Sequence, residues 1–130
     1  MQGEVEKKPK IKFLMCICTG ECPGFSELTP NIWKFMNRVR LELPVEYAAI
    51  HPQLCAPDGD KFLRDVLHND GSYYIIGGCA PFMQEKMFRD ALKDKGVEKG
   101  KHIALDLRNM KVDDAFNKVA EAVNKIVGGK

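Results

Sequence analysis

The chain has 130 residues, of which 45% are hydrophobic and 29% are charged, and this is the size and composition of one globular domain. Twenty Lys and Arg residues against eighteen Asp and Glu leave a net charge of +2, which is too small to indicate a nucleic-acid or membrane-surface partner. No apolar run approaches the roughly 20 residues of a membrane span, and the polar N-terminus has no signal-peptide core. We therefore expect a cytoplasmic protein with a flexible tail at 1–9 and a single domain at 10–130.

Five cysteines form the most informative part of the composition. Disulfides are rare inside cells, and an odd number cannot pair completely. Intracellular cysteines more often bind metal, perform redox chemistry or fill the core. Their positions relative to the secondary structure therefore decide what they indicate.

Strand and helix patterns alternate along the chain. Short apolar runs predict strands, and longer segments with apolar residues at helical spacing predict helices. In chain order, the predicted elements are a strand at 11–17, a helix at 30–41, a strand at 45–51, a helix beginning near 58–60, a strand at 72–77, a helix at 81–95, a strand at 102–107 and a helix at 112–127.

Local signals predict how the helices begin and pack. Thr29 is predicted as an N-cap, with Pro30 as the first helical residue, and Asp58 or Asp60 as the cap of the second helix. Trp33 is predicted to pack against the body of the protein. The predicted inner stripe of the third helix consists of Met83, Met87, Phe88 and Leu92.

This βαβαβαβα alternation is typical of a parallel sheet with helices on both faces. We therefore predict a doubly wound, Rossmann- or flavodoxin-like α/β domain with four strands. The expected strand order is 2-1-3-4, as in flavodoxin-like folds.

All five cysteines lie at the end of a predicted strand or in the loop after it. Cys16 lies at the end of the first strand, Cys18 and Cys22 follow it, Cys55 follows the second strand and Cys79 the third. Parallel strands leave the sheet at the same edge, about 4.8 Å apart, and open α/β sheets bind ligands there. The sequence therefore predicts a shared thiolate site at the carboxyl edge.

Four thiolates suit either zinc or an iron–sulfur cluster. Structural zinc sites usually use closely spaced pairs of cysteines, whereas Cys55 and Cys79 are single cysteines on separate loops. This spacing favours an iron–sulfur cluster, the larger of the two centres. The spacing does not match ferredoxin motifs. Gly77 and Gly78 serve either tight packing or close approach of backbone N–H groups to a bound sulfur or anion.

Three segments resemble the N-terminal domain of the A subunit of heterodisulfide reductase, the flavin-containing subunit of methanogens and related anaerobes. FLMCIC at 13–18 is similar to that family's opening strand ending in Cys-x-Cys. LCAPDG at 54–59 is similar to its Cys-Ser-x-Pro-Gly loop. GCAPFMQEKMFR at 78–89 follows its Cys-Ser-Pro-x-Met-His-Glu-x-x-Phe-Arg motif.

The resemblance implies a [4Fe–4S] cluster in an electron-transfer complex, with flavin- or iron–sulfur-containing subunits as partners. It implies Cys16, Cys18, Cys55 and Cys79 as ligands. Glu85 and Arg89 also match positions of the family motif, but the resemblance assigns them no role.

The chain departs from the family pattern at three points. Thr19-Gly20 stands where the family has glycine, and the additional Cys22 is an alternative ligand to Cys16 or Cys18. Gln84 replaces the family's histidine. The flavin-binding and ferredoxin parts are absent, and no Gly-x-Gly-x-x-Gly motif occurs, so no FAD or NAD site is expected.

Two other functions stay open. Cys79 before a helix is also suited to nucleophilic redox or sulfur-transfer chemistry, although no histidine is placed as its base and no Cys-x-x-Cys pair is present. A metal-free or zinc-stabilised module that binds partners is the third hypothesis.

Overall fold

A computed structural model describes residues 9–18 and 23–128. Its main elements are β1 (Ile11–Cys16), α1 (Ile32–Glu42), β2 (Tyr47–His51), α2 (Pro57–Val66), β3 (Tyr73–Gly78), α3 (Pro81–Asp94), β4 (His102–Asp106) and α4 (Val112–Val127). Short 3-10 helices occupy Pro23–Phe25, Thr29–Asn31 and Lys99–Lys101.

The four strands form one parallel sheet in the order β2-β1-β3-β4. Both the predicted doubly wound α/β class and the predicted strand order are confirmed. The central strands β1 and β3 are almost entirely buried, as expected for a parallel sheet covered on both faces.

Alternation along β1 separates two cores. Phe13 and Met15 face the cluster formed with α1 and α4, whereas Leu14 and Cys16 face the cluster formed with α2 and α3. Successive side chains of a strand point to opposite faces. This parity directs Cys16 toward the helices that follow the other cysteine-bearing loops.

Three predicted helix details are wrong. Thr29 makes no side-chain cap and lies in a 3-10 turn, so α1 begins at Ile32 rather than Pro30. The N-cap of α2 is Ala56, because Pro57 takes the first helical position, and Asp58 lies inside the first turn. Trp33, expected to pack, is 66% exposed.

The inner stripe of α3 also differs from prediction. Met83 is exposed, and Gln84 is buried in its place. Phe88 is buried as predicted, and Met87 and Leu92 pack partly buried against the same core. A polar side chain therefore occupies a position where the hydrophobic pattern favours an apolar one.

Among residues 9–18 and 23–128, none of the helices combines the length and the apolar character that crossing a membrane requires.

Candidate functional site

Four of the five cysteines line one small cavity at the carboxyl edge of the sheet. The cavity has a volume of about 20 Å³. It is lined by Cys16, Cys18, Cys55, Ile76, Gly78, Cys79, Gln84, Met87 and Phe88. The convergence follows from topology, because the loops after β1, β2 and β3 all leave at this edge. Cys22 lies outside the described residues.

Cys16 is the buried member of the group. It ends β1, is 7% exposed, and its Sγ accepts a hydrogen bond from the Leu54 backbone N–H at 3.3 Å. The loop after β2 therefore contacts the thiol of the neighbouring strand directly. A backbone N–H at this distance stabilises negative charge on the sulfur of a ligating cysteine.

Cys18 lies two residues further along, in a sharply turned backbone. Its φ of 52° is in the left-handed region, which costs a non-glycine residue roughly 1–2 kcal/mol. Its side chain is half-buried.

Cys55 and Cys79 come from the loops that lead into α2 and α3. Cys55 is exposed, and the side-chain amide of Gln53 donates to its Sγ at 3.4 Å. Cys79 is half-buried between the end of β3 and the start of α3. Cys79 precedes the first residue of α3 by two positions, at the positive end of the helix dipole.

The two glycines before Cys79 have different roles. Gly78 lines the cavity, and a Cβ there would be in ordinary contact with Cys16. A Cβ on Gly77 would collide with the buried Leu107 side chain and crowd Met15. Gly77 is therefore required for packing in the opposite core, and its proposed contact with a cofactor stays a prediction.

Gln84 supports the floor of the cavity. Its side-chain amide nitrogen lies 3.0 Å from the Ile76 carbonyl oxygen, 2.9 Å from that of Cys79 and 3.3 Å from that of Leu105. Its Oε1 accepts from His102 Nε2 at 3.2 Å. One buried side chain thus ties the ends of β3 and β4 to α3.

Burial lowers the pKa of His102 below its usual value, although the nearby Glu85 carboxylate opposes the shift. The imidazole is therefore held in its neutral form near pH 7. Sequence patterns missed this pair. The signal in the sequence was Gln84, a polar residue four positions before Phe88 on the inner face of α3, which indicates a buried polar contact.

His51 and Asp58 form a second pair, near the cysteines, that the sequence patterns did not predict. His51 ends β2 and is the register partner of Cys16. Its Nδ1 accepts from the Gln53 backbone N–H at 2.9 Å, and its Nε2 lies 2.8 Å from Asp58 Oδ2. Because both ring nitrogens are engaged, His51 is not available as a base for a neighbouring thiol.

Glu85 and Arg89 do not contribute to the cysteine cavity. They line a separate groove of about 420 Å³ between α3 and the Val97–Lys99 segment. Their motif positions therefore place them away from the thiols.

The donor set of the cavity is suited to a thiophilic metal centre, since sulfur is its main ligand type. Within the described ranges, however, no three Cys, His, Asp or Glu side chains form a group that could hold a metal ion. The cavity has room for about one water molecule, so a larger group enters only when the surrounding loops separate. The assignment of these cysteines as ligands stays a prediction.

Comparison with known proteins gives one distant relationship. A search of protein-family models finds no match to this chain. Over 110 residues, which are 83% of the chain, it is 26% identical to the A subunit of the H(2)/formate:CoB-CoM heterodisulfide,ferredoxin reductase of Methanococcus maripaludis. The chain is a distant relative of that protein. It spans only 16% of the length of the relative.

Proposed function

We propose that the chain is an electron-transfer component of a heterodisulfide-reductase-like redox complex and holds a [4Fe–4S] cluster at the carboxyl edge of its sheet. The observation that carries the proposal is the meeting of Cys16, Cys18, Cys55 and Cys79 at one cavity. The distant similarity to a reductase component supports the redox theme.

Cys16, Cys18, Cys55 and Cys79 are the proposed ligands, with Cys22 as the alternative to Cys16 or Cys18. An all-cysteine set is the usual ligand set of such clusters. A cluster distributes its thiolates over several iron atoms, so its ligands can lie further apart than those of a single ion. Three of the four proposed thiols are on loops, which can adjust to a group larger than the cavity.

When bound, the cluster supplies a site that accepts and releases one electron at a time. The protein tunes such a site through hydrogen bonds to sulfur and through burial. Leu54 N–H and the Gln53 amide are already directed at two of the thiols. The α3 N-terminus adds positive potential at Cys79.

The proposed partners are other flavin- or iron–sulfur-containing subunits. The chain is similar to only a small part of its relative, so the electron donor and acceptor sites are assigned to other polypeptides or domains. We propose no substrate chemistry for the chain itself.

Anaerobic purification and reconstitution test the proposal. We expect a brown protein with about four iron atoms and about four acid-labile sulfides per chain. Single Cys→Ser changes at the four proposed ligands should each lower the iron content. C22S tests the alternative: it should retain the iron, whereas iron loss in C22S with retention in C16S or C18S would make Cys22 a ligand in place of that cysteine.

Absence of iron and sulfide after anaerobic reconstitution would overturn the proposal. Bound zinc would instead favour a structural module. A colourless, metal-free protein whose Cys79 is selectively alkylated would favour thiol-dependent redox or sulfur-transfer chemistry.

A further inference from the structure

We propose that His51 and Asp58 are positioning residues of the cysteine site, which fix the loop at 52–57 and through it the surroundings of Cys16 and Cys55. The inference rests on the proposed function where it concerns an electron-transfer centre. Its geometric part concerns only the thiols and the loop.

The imidazole of His51 connects both ends of this loop. The Gln53 backbone N–H donates to Nδ1 at 2.9 Å, so Nδ1 carries no proton. The proton is therefore on Nε2, which donates to Asp58 Oδ2 at 2.8 Å. One imidazole ring thus bonds both the beginning of the loop and the first turn of α2.

The ring itself is held firmly. The His51 side chain is only 10% exposed, and it packs against the Phe62 ring with centroids 5.2 Å apart. Its backbone belongs to β2, and the Ile17 N–H donates to its carbonyl oxygen at 3.4 Å. The loop is therefore anchored to the sheet and not only to itself.

The other side of the loop rests on α2. A Cβ at Gly59 would collide with the Gln53 carbonyl oxygen and with the Leu54 backbone. The Ala56 N–H also donates to the Gln53 carbonyl oxygen at 3.2 Å. The absence of a side chain at Gly59 thus lets the loop lie directly against the first turn of α2. The hydrogen bond between His51 and Asp58 keeps the loop in this position.

The closed loop determines what faces the thiols. It brings the Leu54 N–H within 3.3 Å of Cys16 Sγ and the Gln53 amide within 3.4 Å of Cys55 Sγ. Hydrogen bonds to sulfur raise the reduction potential of a thiolate-bound centre, because they stabilise its more negative reduced form. Loss of the Asp58 bond should loosen the loop, lower the potential and uncover Cys16.

Three Asp variants test the inference. D58A removes the acceptor, D58N keeps an oxygen that can accept from Nε2–H, and D65A removes an exposed carboxylate of the same helix that pairs only with Lys61 among the described residues. Asp58 is 87% exposed, so none of these changes opens the core.

The first measurement is the alkylation rate of Cys16 in the metal-free full chain, with Cys79 as the internal reference, by peptide mass spectrometry. We expect about fivefold faster labelling of Cys16 in D58A, consistent with loss of one hydrogen bond. D58N and D65A should label at the wild-type rate.

The second measurement is the midpoint potential of the reconstituted protein, which we expect to be lower in D58A only. Wild-type labelling in D58A, or equal effects of D58A and D58N, would overturn the inference. If the wild type binds no iron, the proposed function fails, but the labelling comparison still decides whether His51 and Asp58 position the loop.

Discussion

Gln84 is the residue whose side chain joins the most elements near the cysteines. Q84A leaves the carbonyl oxygens of Ile76 and Leu105 without this donor in a buried setting. Both oxygens belong to residues of the paired strands β3 and β4, so the loss is that of two hydrogen bonds, each worth about 0.5–1.5 kcal/mol, and we expect a decrease of about 1–3 kcal/mol in the free energy of unfolding. Urea denaturation measures it.

The control for Q84A is K86A, two residues along the same helix on its exposed face. It makes the same truncation to Ala without uncovering buried acceptors, and we expect a change within about 0.5 kcal/mol. Equal stability of Q84A and K86A would show that the three carbonyl contacts contribute little.

Residues whose role depends on tertiary partners were the ones that sequence patterns did not predict. Gln84 and Met83 are neighbours on α3, and hydrophobicity alone favours burying Met83. Gln84 is buried instead because carbonyl oxygens at the ends of two strands are within its reach. The role of His51 likewise depends on Asp58, which only the folded loop brings near.

At the scale of elements, the close approach of β3 to its neighbours depends on Gly77. A Cβ there would overlap Leu107, which is fully buried and cannot move into solvent. Overpacking of this kind costs about 1–3 kcal/mol. We therefore expect G77A to lower the unfolding free energy by that amount in chemical denaturation.

G100A is the matched control for G77A, because a Cβ at Gly100 meets nothing within 4 Å. We expect it to leave stability nearly unchanged. A G77A protein as stable as G100A would contradict the packing role and leave contact with a bound group as the reason for the glycine.

The number and order of the main helices and strands were predictable from the sequence, but the residues at which helices begin were less so. The bounds of α4 agree with prediction at both ends, because its apolar face is long and regular. The start of α1 was wrong because Thr29 and Pro30 also suit a 3-10 turn. The meeting of the cysteine loops was predictable because strand parity and parallel topology determine the edge, whereas ligand geometry depends on loop conformation.

At the scale of the whole molecule, the two edges of the sheet carry different chemistry. Opposite the thiols, Lys12 is 6% exposed and lies over the rings of Tyr47 and Tyr74. Burial is the main cause that raises the pKa of Tyr47 to about 12. Asp70 pairs with Lys12 at 3.4 Å, so this edge is a closed polar cluster rather than a second thiol site.

Stability of the whole domain should fall in two steps as pH is lowered. Burial holds the pKa of His102 below 6.5 in the folded state, so the unfolded chain binds the proton more readily and stability decreases below about pH 6.5. Hydrogen bonding from Ser72, whose backbone N–H donates to Asp70 Oδ1 at 3.0 Å, with Lys12 contributing, lowers the pKa of Asp70 from 3.8 to about 2. That contribution is present above about pH 4 and is lost as pH falls through about 2.

The two steps can be separated by substitution in metal-free protein, with urea midpoints measured from pH 7.5 to pH 2. H102Q should remove the decrease that begins below about pH 6.5. D70N should reduce only the acid step, by about 1 kcal/mol or less, because the Asp70 side chain is more than a third exposed and solvent screens it. An unchanged upper step in H102Q would show that another group titrates there. Both variants change the amino end of the sheet, because His102 and Lys12, the ion-pair partner of Asp70, are both register partners of Tyr74. A single cooperative domain should still give one unfolding transition in each variant.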